Sequence, residues 1–382
     1  MMRVSVPAQM LRWAIERADA SEEQLRRRFQ MLDGWISGQY QPTLKQLEAF
    51  AKATHTPIGY LFLKNPPEER IPIPDYRTAA ARGIAHPSPN LLETIYLCQQ
   101  RQEWYRDYVR SIGSDRLPFV GSAHRNDDVI STARQISDAL GFSIERRRQD
   151  STWAESLRRF INQADELGVM VMVSGVVGSN NTRRLDVEEF RGFALADEYA
   201  PLIFINGSDT KSAQMFTLAH ELAHLWLGES ALSNVTARDE PDHHVERWCD
   251  QVAAELLVPR HAVLASFRSG EPLRGTLDRL AREFKVSTLV ILRRLYDAQK
   301  LSKKAYWNAY DDELKRLREI TASQAGGGGD YYLTTAARVS QRFARALITA
   351  VWEGRATFTE AYRLLGCRKT ETLRELGRNV GI

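Results

Sequence analysis

The chain is poor in cysteine and has no long apolar run. Its three cysteines, Cys98, Cys249 and Cys367, are far apart in 382 residues. A sparse and odd set argues against a disulfide framework and predicts buried thiols. No apolar run approaches the roughly 18 residues of a membrane span, and the first residues contain no secretory hydrophobic segment. We therefore expect a cytoplasmic protein.

The composition is that of an ordinary globular protein, with 43% hydrophobic and 26% charged residues. The length allows two or three domains with full cores. The net charge is +4, but it is unevenly distributed. Residues 260–382 contain 23 basic and 13 acidic residues, a balance of +10, which leaves −6 for residues 1–259. This basic end suits an anionic partner, although it could equally keep a helical surface soluble.

Histidine is scarce as well, with 8 residues, yet two of them stand four positions apart in His220-Glu221-Leu222-Ala223-His224. On a helix, two such histidines project from one face and can bind one Zn²⁺, and the glutamate between them lies beside the open metal position as a general base. By composition alone, such a motif arises on the order of once in a hundred such chains. The surrounding helix is almost wholly apolar, so idle polar side chains there would be costly. A metal would supply their partners.

A catalytic zinc usually has three protein ligands, so a third must be found. Residues 245–257 have a helical pattern, with Glu246 and Asp250 one turn apart. In zinc peptidases with a glutamate as third ligand, it comes from a second helix some twenty residues on. An acid one turn later can orient a ligating histidine. We therefore assign Glu246 to the metal and Asp250 to His220 or His224.

Three other side chains remain possible third ligands: His243, His244 and Cys249. The two histidines are adjacent, hydrophilic and just outside the helical pattern, and the cysteine falls on its apolar side. The longer metzincin motif is absent, because Leu227 and Ser230 occupy its glycine and histidine places.

The segment before the motif predicts a small sheet. Residues 151–167 form an amphipathic pattern ended by Gly168, and residues 169–173 read as a strand. Residues 200–206 read as a second buried strand, and a polar turn at 207–210 can cap the motif helix. If the second strand has a free edge, an extended substrate could pair along Leu202 to Asn206. The same apolar residues would equally suit a strand that is only core.

Several linked runs together resemble the ImmA/IrrE family of metallo-endopeptidases. They are residues 190–195, residues 201–206, the histidine motif and residues 246–259, and the resemblance covers about residues 150–262. Members of that family cleave repressors of the Xre type and thereby switch on mobile-element or stress-response genes. The resemblance therefore implies an Xre-type repressor as the protein substrate.

The N-terminal 63 residues resemble an Xre-type helix-turn-helix domain. Helical patterns at residues 8–18 and 21–29 are followed by a Trp35-Ile36-Ser37-Gly38 turn and Pro42. Ile36 replaces the acid that this family has there, and the stretch before it is short for a reading helix. Residues 1–60 carry 8 basic and 6 acidic residues, a weak footprint for DNA. Their one basic cluster, residues 26–28, could bind phosphates or be a solvated helix face.

These observations predict the following domain organisation: an Xre-like domain at 1–63, a Pro-rich linker at 64–90, a zinc peptidase domain at 91–262, a helical region at 263–320 and a C-terminal helical module at 321–382. The helical region contains two amphipathic helices broken at residues 284–287, which is a second helix-turn-helix pattern or a buttress for the zinc domain. Residues 326–329 are four glycines, which we expect to form a flexible joint.

The sequence thus predicts an α+β, mainly helical protein, with a small sheet and a zinc-peptidase helix. In this interpretation, Zn²⁺ is held by His220, His224 and Glu246, and Glu221 is the general base. The alternative is a DNA-binding regulator or antitoxin-like component that keeps the zinc fold as a sensor or scaffold. The glutamate at 221 argues against the alternative, because a structural zinc needs no general base.

Overall fold

The structure is a computed structural model, and it describes residues 3–18, 21–76, 87–233, 244–323 and 336–382. Two features predicted from the sequence lie outside these residues: the alternative ligand His243 and the glycine run at 326–329. The described chain is mainly helical with one four-stranded mixed sheet, which confirms the α+β prediction.

The chain forms two compact units. The first comprises Met1–Pro72 and Gly83–Ile95, and the second comprises Ile73–Arg82 and Tyr96–Ile382. The five segments read from the sequence, with their four boundaries, stay a prediction. No described helix combines the length and the apolar character that crossing a membrane requires. All three cysteines are buried free thiols, as their spacing predicts.

The described residues of the first unit begin with the helices α1 (Ala8–Arg17), α2 (Glu22–Arg28), α3 (Leu32–Ile36) and α4 (Leu44–Ala53). A short 3₁₀ helix, Ile58–Phe62, follows them. Thr43 begins α4 with a capping box in which its side chain and that of Gln46 each accept from the other's backbone N–H. In the core of this unit, Phe29 and Trp35 pack edge to face with Phe50 at ring-centre distances of 5.7 and 6.4 Å, and their own rings are tilted at 49° and 6.0 Å apart.

The basic cluster of the first unit is largely paired with acids. Arg26 lies 3.2 Å from both Glu22 and Asp33, and Arg27 lies 2.5 Å from Glu23. All these side chains are more than half exposed. Pairs of this kind contribute little to stability. The carboxylates nevertheless offset the positive charge that a phosphate contact would require. The five-residue helix α3 is also short for a reading helix.

The second unit holds the sheet and the remaining helices. Its strands are β1 (Met170–Ser174), β2 (Gly192–Leu195), β3 (Leu202–Asn206) and β4 (Ala231–Ser233). Helix α5 (Pro89–Ser111) begins in the first unit. The others are α6 (Val129–Leu140), α7 (Ile144–Gln149), α8 (Trp153–Leu167), α9 (Lys211–Leu227), α10 (His244–Leu257), α11 (Arg260–Ser266), α12 (Leu273–Phe284), α13 (Thr288–Asp297), α14 (Lys303–Ser323), α15 (Gln341–Trp352), α16 (Phe358–Leu365) and α17 (Thr370–Asn379).

The strand order is β1-β3-β2-β4, which corrects the expected docking edge. β3 lies inside the sheet, parallel to β1 and antiparallel to β2, with Leu202 opposite both Met170 and Leu195. Its main-chain groups are therefore committed on both sides, and a substrate cannot pair along Leu202 to Asn206. The prediction of that docking position is therefore wrong. The sequence could not reveal the error, because a fully buried strand has the same apolar sequence at an edge or in the interior. The edge strands are β1 and β4.

The motif helix α9 and the second helix α10 pack against each other and share one hydrophobic core with α12 and α13. Arg294 of α13 is buried against Glu255 of α10 and donates to the carbonyl oxygen of Val258 at 2.8 Å. Lys285, in the left-handed conformation, ends α12, and Ser287 caps α13. The helix pair at 273–297 thus buttresses the helix that carries Glu246.

Candidate metal centre

Helix α9 places the histidine motif at the centre of the second unit. Thr210 begins the helix by accepting a hydrogen bond from the backbone N–H of Ala213, and Gly228 ends it at φ 70°, a conformation that glycine adopts without strain. His220, Glu221 and His224 are all fully buried. The helical spacing brings the two imidazoles to the same side, with their Nε2 atoms 3.1 Å apart.

Helix α10 brings Glu246 to the two histidines. One carboxylate oxygen lies 3.2 Å from His220 Nε2, and the other lies 2.9 Å from His224 Nε2. The ligand atoms of the three side chains lie within 4.8 Å of one another, and all three residues are buried. Within the described part of the chain, this is the one group of three or more His, Cys, Asp or Glu residues with the geometry to hold a metal ion.

Asp250, one turn after Glu246, contacts the far side of His220. Its Oδ1 lies 2.9 Å from His220 Nδ1 and accepts a hydrogen bond when that nitrogen carries the proton. The Nδ1 proton leaves Nε2 free to face Glu246 and a metal. Asp250 therefore selects the tautomer in which His220 can be a ligand.

The alternative third ligands take no part in the group, as far as the structure describes them. His244 is exposed at the start of α10. Cys249 is fully buried but contributes no atom to the three-ligand set, and burial raises the pKa of its thiol well above the usual value, with Glu246 and Asp250 adding to the effect. A thiol that stays protonated is a poor ligand.

Charge within the cluster shifts the pKa values of the two ligands in opposite directions. Burial opposes both shifts. The nearby Glu246 and Asp250 nevertheless raise the pKa of His220 well above 6.5. In turn His220 and His224 lower the pKa of Glu246 far below its usual range. The carboxylates that attract a proton to His220 would equally attract a divalent cation. Binding of the metal would then release that proton, because a histidine binds a metal in its neutral form.

Glu221 is not one of the three ligands, but it is near enough to His220 and Glu246 to interact with their charges. Burial, reinforced by Glu246 and opposed by His220, raises its pKa to about 8. None of the described residues makes a hydrogen bond to either of its carboxylate oxygens, although the hydroxyl of Ser233 is near enough to lower its pKa. A buried carboxyl group without a partner is costly. A reactant on the metal would provide that partner.

The donor set fits zinc. Two imidazole nitrogens and one carboxylate oxygen are the ligands of catalytic zinc sites, which keep a fourth position open. Here three ligands converge, one of them is oriented by Asp250, and the carboxyl group of Glu221, outside the set, is near enough to His220 and Glu246 for their charges to shift its pKa. The arrangement can support metal-assisted hydrolysis with a general base at Glu221.

Comparison with known families shows that the region around this group is similar to a peptidase domain. Residues 164–296 match the IrrE N-terminal-like domain, peptidase family M78. M78 peptidases are metallopeptidases, and protein is their substrate class. The IrrE-like domain contains the ligand group and both helices that carry it. Residues 339–379 match a domain family of unknown function, DUF8813. No curated protein matches the chain.

Two further residues of the IrrE-like domain crowd the site in ways the sequence alone did not reveal. Gly192, on β2, is so close that an added Cβ would lie 2.5 Å from Thr217 Cγ2 and 3.3 Å from Glu221 Oε1. Ser233, on β4, is the register partner of Gly192. The glycine stands within the Phe190–Leu195 run, where the resemblance could have directed attention to it. For Ser233 the sequence contains no signal.

A third residue, Tyr76, precedes the IrrE-like domain in the chain. Its ring stacks on that of His224, with centroids 6.1 Å apart and planes at 11°. It falls within residues 64–90, which the sequence predicts to be a linker. The proline spacing there indicates an extended chain but not the part of the protein against which it packs.

We expect Asp250→Ala to weaken zinc binding by roughly 10- to 100-fold, because the histidine then loses its orienting acceptor. Asp250→Asn should fall between wild type and Asp250→Ala, since an amide oxygen can still accept the Nδ1–H bond without its charge. Zinc affinity measured by competition with a coloured chelator would test this order. Equal affinities in all three proteins would remove Asp250 from the site.

Proposed function

We propose that this protein is a zinc-dependent endopeptidase that cleaves an Xre-type transcriptional repressor or a similar regulatory protein, and so controls mobile-element or stress-response genes. The observation that carries the proposal is the convergence of His220, His224 and Glu246, with Glu221 beside them but outside the ligand set. The match of residues 164–296 to a peptidase domain supports the same reaction class.

In this proposal His220, His224 and Glu246 hold the zinc, and Asp250 orients His220. When bound, zinc supplies a Lewis acid that polarises the scissile carbonyl and lowers the pKa of water. Glu221 accepts the proton of the attacking water and passes it to the leaving amine. Its raised pKa suits this exchange, because a base that must also release the proton works best near the operating pH.

The substrate follows from the family resemblance. An Xre-type repressor supplied in trans would be cut in an exposed segment that can become extended, since a folded helix cannot donate its main-chain groups to a sheet edge. The basic balance of residues 260–382 would suit an anionic partner.

The direct test is to incubate the purified chain with the Xre-type repressor encoded by a neighbouring gene. We expect fragments of the repressor with the zinc-loaded protein and none after a chelator has removed the metal. Adding zinc back should restore cleavage. An intact repressor under all three conditions would contradict the proposed substrate.

DNA binding by the first unit stays a prediction from the sequence. The pairing of Arg26 and Arg27 with acids does not favour it. The alternative function as a regulator or antitoxin-like component also gains no specific support, because the buried carboxyl of Glu221 is unnecessary in a purely structural zinc site.

A further inference from the structure

The outer edge of β4 is occupied by the chain itself. Residues 73–76, which we call the strap, run parallel to β4 with Asp75 opposite Leu232. The backbone N–H of Leu232 donates to the carbonyl of Pro74 at 2.9 Å, and the N–H of Tyr76 donates to the carbonyl of Leu232 at 3.0 Å. These bonds satisfy both main-chain groups that Leu232 would offer to an incoming strand.

This edge adjoins the reaction centre. Ser233, the last residue of β4, pairs with Gly192, where an added Cβ would lie 3.3 Å from Glu221 Oε1. The opposite sheet edge, β1, is separated from β4 by β3 and β2. A polypeptide that pairs with the sheet beside Glu221 must therefore use β4, the edge that the strap holds.

The strap also covers a metal ligand. Tyr76 stacks nearly parallel on the imidazole of His224, and Ile73 at the other end of the strap is buried. His224 and Glu221 are fully buried. A substrate carbonyl can reach them only after part of the chain moves aside, and Tyr76 is the strap residue whose ring contacts that of His224.

We propose that the strap is a built-in occupant of the peptide-binding edge, so that the substrate must displace residues 73–76 from β4 and from His224 before it can be cleaved. This inference rests on the proposed peptidase function. An extended polypeptide is the partner that fits, because the strap is itself an extended segment and shows which main-chain groups the partner would use. The strap thus keeps the hydrolytic centre closed to unintended substrates.

The test replaces Tyr76 in the full-length, zinc-loaded protein. Tyr76→Pro removes both the N–H that donates to Leu232 and the ring on His224. It leaves Asp75 extended, since a residue before proline favours that conformation. Tyr76→Phe keeps the N–H and the ring and is the matched control. We measure the rate at which zinc passes to a coloured chelator, which reports access to the metal independently of any cleavage.

We expect zinc transfer from Tyr76→Pro to be on the order of 10- to 100-fold faster than from wild type, as one main-chain hydrogen bond and one stacked ring are lost. Tyr76→Phe should transfer zinc at the wild-type rate. Cleavage of the repressor by Tyr76→Pro should rise on the same order. If Tyr76→Pro fails to fold, Tyr76→Ala removes the ring alone and should give a smaller increase of the same sign.

Equal transfer rates and equal cleavage in wild type and Tyr76→Pro would overturn the strap and leave the peptidase standing, with residues 73–76 as a mere cover for the edge of the sheet. Faster zinc transfer without any cleavage would keep the strap as a cover over the metal site but reject the peptidase, and with it the displacement of the strap by a substrate. Loss of cleavage in Tyr76→Phe with unchanged transfer would overturn the strap in another way, because the tyrosine hydroxyl would then take part in the reaction.

Discussion

Glu221→Gln should abolish repressor cleavage while the protein keeps its fold and its zinc. The amide cannot accept the proton of water, and general-base catalysis by one side chain typically contributes about 10²- to 10⁴-fold. Zinc should stay because Glu221 is outside the ligand set. The fold should stay because burial already favours the uncharged carboxylic acid, which glutamine resembles in size and polarity.

Fragment yield over time and zinc content would be measured together for wild type, Glu221→Gln and a control, Glu198→Gln. The control makes the same chemical change at an exposed ion pair with Arg116, where little effect is expected. Undiminished cleavage in Glu221→Gln would show that another group activates the water. If neither wild type nor the variant produces fragments, and both repress equally in vivo, the regulator interpretation replaces the peptidase.

The second large effect concerns the metal ligands. His220→Ala, His224→Ala and Glu246→Ala should each weaken zinc binding by more than about 100-fold. The loss of a ligand should lower the zinc affinity more than the loss of a residue, such as Asp250, that only orients a ligand. Wild type should bind about one zinc per chain. Its melting temperature should rise with added zinc, because a ligand that binds only the folded state stabilises it.

Metal analysis and thermal unfolding with and without zinc would test this prediction. The matched control is His244→Ala, which removes a histidine from the exposed start of the helix that carries Glu246. It should keep both the zinc and the zinc-dependent shift in melting temperature. Full zinc occupancy in Glu246→Ala would transfer the role of third ligand to His243, His244 or Cys249.

Helical periodicity made much of the site predictable. Two histidines at i and i+4 share a helix face whatever the rest of the fold does, and Glu246 and Asp250 keep the same relation on the next helix. The cap at Thr210 and the stop at Gly228 also follow from residue type. Local rules of this kind act within a few residues, so the sequence contains all the information they need.

Strand order was beyond those rules. The residues of β3 are apolar because both faces of the sheet are covered, and this says nothing about neighbours along the hydrogen-bonding direction. The expected free edge at Leu202 to Asn206 was therefore wrong. Which strands lie at the edges of the sheet is decided by pairings between segments that are distant in the chain.

The sequence by itself determined the motif helix, the candidate ligands and their chemistry, since each depends on side-chain type and on spacing within one helix. Only the tertiary structure decided that Glu246 approaches both histidines, that Gly192 lies against Glu221 and that Tyr76 covers His224. Those contacts join residues as far apart as 76 and 224. They arise from the packing of whole helices and strands, which minimises exposed apolar surface and unpaired main-chain groups. Packing of this kind leaves no local pattern in the sequence.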